Sequence, residues 1–465
     1  MASDAGGIVA ALPEDRLHDW MLEQRWFASK AREVASFGVL EAVTLREDAP
    51  KLVLALVEAR FQTGTHELYQ LPLGLRPAAE GWNERAIAEV EGWTVYDALA
   101  DVAQGRELLH RIRGSAELTA EHGILRFRWA ETAAAGYGGT VDVRPVGVEQ
   151  SNSSVVFGDE LILKVFRRLE PGVNPELELL RFLSAREFPH IAPLVGWYEY
   201  AGRLMDATLG TLQEYLSGAR DGWELCLEDL EGFIPRARAL GQVTGELHTA
   251  LGSETGDPDF APEEPSTENL SLLTATVDEE IERMFVDLDV EDPALAPIAG
   301  RAQDVRERLQ ALSHIGTGGR LIRTHGDYHL GQTMLTDHGW VILDFEGEPA
   351  RPLPERRRKR SPLRDVAGML RSFAYAASAA EQQRGTAAPE GWEDRAREAF
   401  LEGYFETVDA SLLPPGQDAV SKLLSVFELE KAVYELRYEL NHRPGWVGIP
   451  VAGIVRLLEG DDASR

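Results

Sequence analysis

Three oxygen-bearing side chains within residues 321–349 have types and spacing suited to chemistry: Asp327, Gln332 and Asp344. The segment contains two short apolar runs joined by a polar turn at residues 336–339, which predicts a β-hairpin. Asp327 and Gln332 precede the first strand and Asp344 follows the second, so a hairpin brings all three to the end opposite its turn. Two carboxylates and an amide oxygen make a hard, oxygen-rich site of the kind that Mg²⁺ prefers.

This spacing is the one that phosphoryl transfer uses. In protein kinases an Asp accepts the proton of the attacking hydroxyl, an Asn follows it in the same loop, and a magnesium-binding Asp ends the next hairpin strand. Asp327 and Gln332 have the separation of that Asp and Asn, and Asp344 opens the triplet Asp344-Phe345-Glu346. An ordinary hairpin with solvated acids at its open end is the alternative. The full combination favours a catalytic hairpin.

A lysine inside an apolar strand is the second candidate for chemistry. Lys164 interrupts the run at residues 161–166, which is costly unless its amine reaches a partner. A lysine at a sheet edge whose amine extends to solvent is the alternative. The functional interpretation is a lysine that bridges nucleotide phosphates and a carboxylate on the next helix. That helix supplies Glu176 or Glu178, of which we favour Glu178.

Two segments near this lysine are predicted to contact ATP. A polar loop at residues 149–153 can offer amides and hydroxyls to phosphates, although it lacks GxGxxG and an ordinary hairpin loop is the alternative. The segment that leaves the last strand is expected to direct backbone amides at the adenine edge. The predicted contacts are Ser151, Asn152, Ser153, Gln213 and Glu214.

Aromatic and charged side chains share one face of the helix predicted at residues 420–440. They recur at i, i+3, i+4 and i+7, which places them on the same face. An aromatic stripe at this spacing is usually core, but interleaved charges give both the stacking surfaces and the hydrogen bonds that a sugar needs. The predicted sugar contacts are Lys431, Tyr434, Glu435 and Tyr438, together with His329 from the loop beside Asp327.

The charge of the chain is strongly acidic. Its 465 residues have a formal net charge of -30, which argues against a nucleic-acid or anionic-membrane partner. Against this background the basic run Arg356-Arg357-Arg358-Lys359-Arg360 stands out. Two interpretations are open: a solvated face that neutralises nearby acids, and a patch that guides phosphate groups.

The remaining composition predicts a cytoplasmic protein. Cys226 is the only cysteine, so no intrachain disulfide is possible and a reducing compartment is expected. The N-terminus lacks the basic segment and long apolar run of a signal peptide. No run of about 18 uninterrupted apolar residues predicts a membrane span.

The order of predicted elements divides the chain into three parts and makes the fold α+β. Residues 1–95 combine one helix with short strands, show no catalytic group, and are predicted to form an antiparallel-sheet cap with Trp26 and Phe27 in its core. Residues 96–210 read as mostly helical and polar at first, followed by a five-stranded nucleotide-binding sheet. Residues 211–465 are predicted to be mostly helical, with the catalytic hairpin and the sugar site.

Long stretches of this sequence resemble the actinobacterial maltokinase family. They include QRWFASK, HGDYHLGQ, DFEGEPARPLPERRRKRSPLRDVAGMLRSF and FELEKAVYELRYELNHRPGWVGIP, and the resemblance covers nearly the whole chain. It implies a bilobal, protein-kinase-like fold whose N-lobe carries an added cap subdomain. It also implies ATP-dependent phosphorylation of maltose at the anomeric hydroxyl, which gives maltose 1-phosphate for α-glucan synthesis from trehalose.

The resemblance implies roles residue by residue. Asp327 resembles the catalytic base, Gln332 and Asp344 the magnesium ligands, and Lys164 with Glu178 the phosphate-binding pair. The stripe on residues 420–440 resembles the maltose site. The implied cofactors are ATP and Mg²⁺, and we expect the cap to dock a partner such as a trehalose-metabolising enzyme.

Two other functions remain open at this point. One is a kinase of the same fold that acts on glucosamine or another small amino sugar. The other is a catalytically silent, kinase-like scaffold protein, which would have no chemical reason to keep Lys164, Asp327, Gln332 and Asp344 together.

Overall fold

The computed structural model describes residues 4–133, 142–146, 152–286, 292–313 and 319–459, except for the side chains of residues 267–270, 273 and 311–313. The chain divides into two compact units. The first consists of Met1–Glu187 and Ala192–Ser217, and the second of Phe188–Ile191 and Gly218–Arg465.

The described part of the first unit is built from antiparallel strands with four helices. The strands are β1 (Val34–Arg46), β2 (Lys51–Phe61), β3 (His66–Pro77), β4 (Ala86–Val90), β5 (Trp93–Asp97), β6 (Glu117–Thr119), β7 (Gly123–Trp129), β8 (Val143–Val146), β9 (Ser153–Phe157), β10 (Leu161–Val165), β11 (Arg168–Leu169), β12 (Leu194–Gly202) and β13 (Asp206–Glu214). The helices are α1 (Ala5–Ala10), α2 (Glu14–Glu23), α3 (Val102–Arg113) and α4 (Pro175–Ser184).

These strands form two sheets. The first has the order β1-β2-β3-β5-β4 with β11 paired to β3, and the second has the order β6-β7-β12-β13-β10-β9-β8. Both faces of the first sheet are buried, as the alternation along β2 shows. Leu52 and Leu54 pack into a cluster shared with the second sheet, whereas Val53 and Val57 pack with side chains from α1 and α2.

The first and second sheets therefore share one apolar core. Trp26 and Phe27 are buried, as predicted, in the separate cluster on the other face of the first sheet, with side chains of α1 and α2. The predicted cap boundary at residue 95 falls inside β5, and the three-part division stays a prediction.

The second sheet is wider than the five strands predicted, with seven strands in the described part of the chain. The additional strands, β6 and β7, lie where the sequence was interpreted as helical and polar. Residues of β7 alternate in burial, with Leu125 and Phe127 fully buried, and the strand pairs with β12. The polar residues that alternate with these buried ones made the segment look helical. The helical interpretation was wrong here because period-two alternation over one short strand is a weak signal.

The second unit is mainly helical. Its strands are β14 (Arg220–Asp221), β15 (Thr333–Thr336) and β16 (Gly339–Ile342), and its helices are α5 (Gly222–Glu228), α6 (Leu230–Leu251), α7 (Thr267–Val286), α8 (Ala302–Ser313), α9 (Leu353–Arg356), α10 (Leu363–Arg384), α11 (Trp392–Thr407), α12 (Gln417–His442) and α13 (Gly448–Glu459). The predicted hairpin is confirmed as β15 and β16. Among the described helices, none combines the length and apolarity needed to cross a bilayer.

A buried ion pair joins the first sheet to the second sheet within the first unit. Arg167, between β10 and β11, donates from Nη2 to Asp97 Oδ2 over 2.6 Å and from Nε to Ser153 Oγ over 2.8 Å. Its guanidinium also lies 5.0 Å from the ring centre of Trp26. The side chains of Arg167 and Asp97 are 0% and 1% exposed, so neither charge has water to replace its partner.

We predict that Arg167→Met lowers the free energy of unfolding by about 3–5 kcal/mol, because it leaves the buried Asp97 carboxylate without its closest cation. Urea denaturation measures the change. The matched control is Arg168→Met, since the neighbouring Arg168 is 44% exposed and its ion pair among the described residues is with Glu67 at 3.3 Å; its cost should be about 0–1 kcal/mol. Equal costs for the two variants would contradict the assignment.

Candidate active site

The hairpin brings Gln332 and Asp344 together. Gln332 lies in the short 3₁₀ turn before β15, and its carbonyl accepts a 2.9 Å hydrogen bond from the Leu343 amide across the hairpin. Its Nε2 donates to Asp344 Oδ2 over 3.2 Å. Asp344 has a φ of 60°, a left-handed conformation that is uncommon outside glycine and is often found at functional sites.

The loop that carries Asp327 is fixed through its neighbour His325. The buried His325 ring donates from Nε2 to the Leu343 carbonyl over 2.8 Å, and its Nδ1 accepts from the Asp327 amide over 3.3 Å. A carbonyl only accepts, so the proton of the neutral imidazole is on Nε2. The ring therefore connects the catalytic loop to the end of β16, beside Asp344.

Asp365, which sequence reasoning missed, holds the same loop from the first turn of α10. Its carboxylate accepts hydrogen bonds from the amides of His325 and Gly326, at 2.8 and 2.9 Å, and from His248 Nε2 at 3.2 Å. Burial raises the pKa of Asp365, but the hydrogen bond and charge of His248 and the Gly326 amide outweigh it. The net pKa lies below the ordinary 3.8, so the carboxylate is ionised.

Helix α10 also approaches the loop closely. A methyl group on Gly368 would lie 2.6 Å from the Tyr328 carbonyl oxygen, so only glycine allows this contact. The next turn of the helix continues the support, since Ser372 Oγ accepts from the Leu330 amide over 3.0 Å. Helix α10 thus positions the loop on both sides of Asp327.

Lys431 on α12 reaches the predicted catalytic base. Its Nζ lies 3.5 Å from Asp327 Oδ1 and 5.2 Å from the ring centre of Tyr434. Burial lowers the pKa of Lys431, but the carboxylates of Asp327, Glu435 and Glu348 more than compensate, so the net pKa is raised. The ammonium therefore stays charged beside Asp327.

A pocket opens at this point within the second unit. It is lined by Asp327, Lys431 and Tyr434, so two of the four predicted sugar residues on α12 face it. The other two do not line it. Glu435 accepts from Arg371 Nε and Nη2 at 3.0 and 2.8 Å, and Tyr438, 42% exposed, stacks on His442.

The predicted four-residue sugar surface is thus divided by the packing of α12. The residues of α12 that line the pocket end at Tyr434, and Tyr438 lies about one helical turn beyond it. Glu435 belongs to the side of α12 that packs on α10, where Arg371 is buried.

His329 occupies a supporting position in the loop. Its Nδ1 accepts from the Gly331 amide over 3.1 Å and so caps the turn that carries Gln332. Burial is the main cause that lowers the pKa of His329 below 6.5, which keeps its imidazole neutral. The side chain is not among those that line the pocket.

Two further residues of the pocket were also missed. Glu348 accepts from Arg351 Nε over 2.7 Å, and both line the pocket beside Lys431. Burial raises the pKa of Glu348, but Lys431 and Arg351 lower it further, so the net pKa is below 4.5. The signal available in the sequence was the pair of acids, Glu346 and Glu348, directly after Asp344.

In the first unit, the partner of Lys164 is Glu176 and not the favoured Glu178. Lys164 Nζ lies 2.8 Å from Glu176 Oε2. Asn174 caps the start of α4 by accepting from the Glu176 amide over 2.9 Å. Residues two apart differ by about 200° around a helix, so only one of the two glutamates can face β10.

The predicted adenine contacts on β13 are engaged within the sheet. The Glu214 amide donates to the Pro193 carbonyl over 3.1 Å, and Gln213 Nε2 donates to Glu176 Oε1 over 3.0 Å. Because β13 is paired with both β10 and β12, this corrects the expectation that its last amides face the nucleotide.

The polar loop before β9 is described only from Asn152 onward, and Ser151 lies outside the described residues. Asn152 is 9% exposed. Ser153 accepts from Arg167 in the buried network above. Their proposed contact with phosphates stays a prediction.

The chain belongs to the phosphotransferase enzyme family, which matches residues 142–401. It is therefore an enzyme that transfers phosphate to an alcohol acceptor, with the α+β, kinase-like fold predicted from the sequence. Residues 20–101 match the maltokinase N-terminal cap domain, so the kinase carries a cap of the maltokinase type.

Similar proteins include two glucosamine kinases. The one from Streptacidiphilus jiangxiensis is 27% identical over 334 residues, which cover 68% of this chain and 73% of the relative. The one from Mycolicibacterium smegmatis is 27% identical over 361 residues, which cover 73% and 84%. The solved structure of a glucosamine kinase in complex with glucosamine, ADP and inorganic phosphate has a TM-score of 0.71 at 20% identity, covering 98% of this chain and 100% of that one.

We predict that Gly368→Ala lowers kcat by about 10²-fold, because its methyl group displaces the Tyr328 carbonyl and with it Asp327. Steady-state ADP release measures the effect. The matched control is Gly448→Ala, where an added methyl group would meet nothing within 4 Å and kcat should be unchanged. Normal turnover in Gly368→Ala would show that this contact does not position the loop.

The depressed pKa of Asp365 predicts a specific pH dependence. A carboxylate whose folded pKa lies below its unfolded value stabilises the fold above the unfolded pKa, here about 3.8, and this contribution is lost as pH falls through the folded pKa. Asp365→Asn should therefore be destabilised by about 3 kcal/mol, with a difference from wild type that is constant from neutral pH to about pH 4 and shrinks only below it.

Urea denaturation at a series of pH values measures this difference. Asp394→Asn, at an exposed position in the first turn of α11, is the control and should cost less than about 0.5 kcal/mol. A difference that already disappears between neutral pH and pH 5 would mean that Asp365 is protonated in the native state.

Proposed function

We propose that this enzyme phosphorylates maltose at its anomeric hydroxyl, with ATP as donor, to give maltose 1-phosphate and ADP. The observation that carries the proposal is the pocket at Asp327, where a carboxylate, an ammonium and an aromatic ring lie side by side. Asp327 accepts the proton of the attacking hydroxyl as the hydroxyl attacks the γ-phosphorus. Tyr434 offers a stacking face for a sugar ring.

The charges of the pocket support a neutral acceptor over an amino sugar. Five cationic side chains line it, namely Arg351, Arg356, Arg360, Arg364 and Lys431, against the four carboxylates of Asp327, Glu348, Glu430 and Asp365. Asp365 is already used by the loop amides. A protonated amino sugar would meet this excess of positive charge, whereas maltose brings no charge.

A magnesium ion fits the donor set at the hairpin. Gln332 and Asp344 are held by a mutual hydrogen bond of 3.2 Å, and their amide and carboxylate oxygens are ligands that Mg²⁺ accepts. When bound, the ion would neutralise charge on the nucleotide phosphates. Lys164, oriented by Glu176, would bind the nucleotide phosphates from the first unit's sheet.

The runner-up is a glucosamine kinase, favoured by the names of the two relatives. The cap supports the maltokinase assignment instead, and its docking of a trehalose-metabolising enzyme stays a prediction. A scaffold without activity is excluded by the family.

A coupled ADP-release assay across maltose, glucose, glucosamine and aminoglycosides tests the acceptor, and we expect turnover with maltose above all. Asp327→Asn should reduce kcat by about 10²–10⁴-fold, the usual contribution of a general base. The control is Asp337→Asn, an exposed carboxylate in the turn of the same hairpin, which should retain activity. Turnover of glucosamine without turnover of maltose would transfer the assignment to the runner-up.

A further inference from the structure

A second cavity of the second unit is lined by the basic run. This cavity, the basic groove, has a volume of about 440 Å³ and lies between the start of α7, α12 and the segment that joins α9 to α10. Arg358, Lys359 and Arg360 line it from that joining segment, and Leu423 and Phe427 line it from α12. Asp327, Lys431 and Tyr434 do not line it, so the basic groove adjoins the catalytic pocket without including these three residues.

Cations outnumber acids along the basic groove. Five cationic side chains face three carboxylates there. Each carboxylate is already paired: Glu263 with Lys359 at 2.6 Å, Glu430 with Arg364 at 2.6 Å, and Glu355 with both Arg351 and Arg360. The groove therefore has positive charge in excess, in a chain that is acidic as a whole.

Arg358 carries part of that excess. Its side chain is exposed, and its guanidinium makes no hydrogen bond or ion pair with another residue in the described parts of the chain. A guanidinium presents several N–H donors in a planar fork that matches phosphate oxygens. Arg358 is thus available to a ligand.

Arg360 also lacks full compensation. Among described residues it donates only from Nη2, to the carbonyl and to Oε1 of Glu355 at 3.4 and 3.2 Å. Burial, followed by the charges of Arg364 and Arg351, lowers the pKa of Arg360 to about 10. A bound anion would relieve this repulsion.

Apolar side chains along the same groove indicate more than a free anion. Leu321, Leu423 and Phe427 line it together with the cations. Leu272, which is 64% exposed and also lines the groove, offers apolar surface on which the C–H face of a sugar ring can pack. A volume of this size accommodates a small ligand.

We propose that the basic groove binds a small sugar phosphate, with its phosphate on Arg358 and Arg360 and its sugar against Leu272. This site does not depend on which acceptor the catalytic pocket takes. Because Arg351, Arg360, Arg364, Phe427 and Glu430 line both cavities, the ligand also changes the affinity of the catalytic pocket for its acceptor.

Calorimetry on the full chain without nucleotide tests binding, with glucose 6-phosphate, inorganic phosphate and glucose as probes. We expect glucose 6-phosphate to bind more tightly than inorganic phosphate, and glucose not to bind. Arg358→Gln should weaken glucose 6-phosphate about tenfold, the loss of one charge-assisted hydrogen bond. The control is Arg395→Gln, an arginine on α11 that pairs with Glu231 and should leave binding unchanged.

Arg358 does not line the catalytic pocket, so the variant separates the two cavities. Its kcat without added sugar phosphate should equal that of wild type, and glucose 6-phosphate should shift the acceptor KM of wild type but not of Arg358→Gln. Binding that is indifferent to Arg358→Gln, or an absence of heat up to about 10 mM ligand, would overturn the site. Equal affinities for glucose 6-phosphate and inorganic phosphate would overturn the sugar part of the proposal.

Discussion

A carboxylate buried in the first turn of α10 holds the backbone of the loop that carries Asp327. Asp365 accepts one hydrogen bond from the backbone amide of each of residues 325 and 326, and a third from the ring Nε2 of His248. Because the hydrogen bonds go to the main chain, the path of the loop is defined before any ligand arrives. A helix N-terminus also favours a negative charge, so the same turn that carries Asp365 helps to keep it ionised.

Besides this carboxylate, other packing contacts within the second unit hold Asp327 in place. Gly368 lets α10 lie against the loop, and His325 ties the loop to the end of β16. Lys431 then approaches Asp327 from α12, which itself packs on α10. Preorganisation of this kind is how phosphoryl transfer is accelerated, since the protein supplies mainly positioning and electrostatics.

In the first unit, the positions of the two sheets are constrained by the apolar core that they share. Alternate residues of β2 pack on the cap helices and on the second sheet, and the pair Arg167–Asp97 joins the two layers. Leu163, next to Lys164 on β10, lies in that core. A change in the packing of β2 would therefore reach the strand that carries Lys164.

The arginines of the second unit give an acidic protein a local positive field. The neutralising interpretation of the basic run describes Lys359 and Arg360, which pair with Glu263 and Glu355. The phosphate-guiding interpretation stays a prediction, with Arg358 exposed. The field disfavours cationic ligands in both cavities. This positive field would therefore affect both the choice of acceptor in the pocket and the choice of ligand in the basic groove.

Local sequence by itself determined the features whose partners are close along the chain. The hairpin β15–β16, with Gln332 and Asp344 at one end, follows from two apolar runs and a turn, and the start of α4 follows from Asn174 and its proline. These interactions span few residues, so spacing is sufficient to predict them.

Tertiary structure alone decided the interactions between distant segments. Asp365 meets a loop about 40 residues earlier, and Glu176 rather than Glu178 meets Lys164 because the packing of α4 selects one of its faces. The packing of α12 likewise separates the residues of its predicted sugar surface: Lys431 and Tyr434 face the pocket, whereas Glu435 faces Arg371. Helical periodicity predicts which residues share a face of a helix. Which other residues that face contacts depends on how the helix packs in the folded chain.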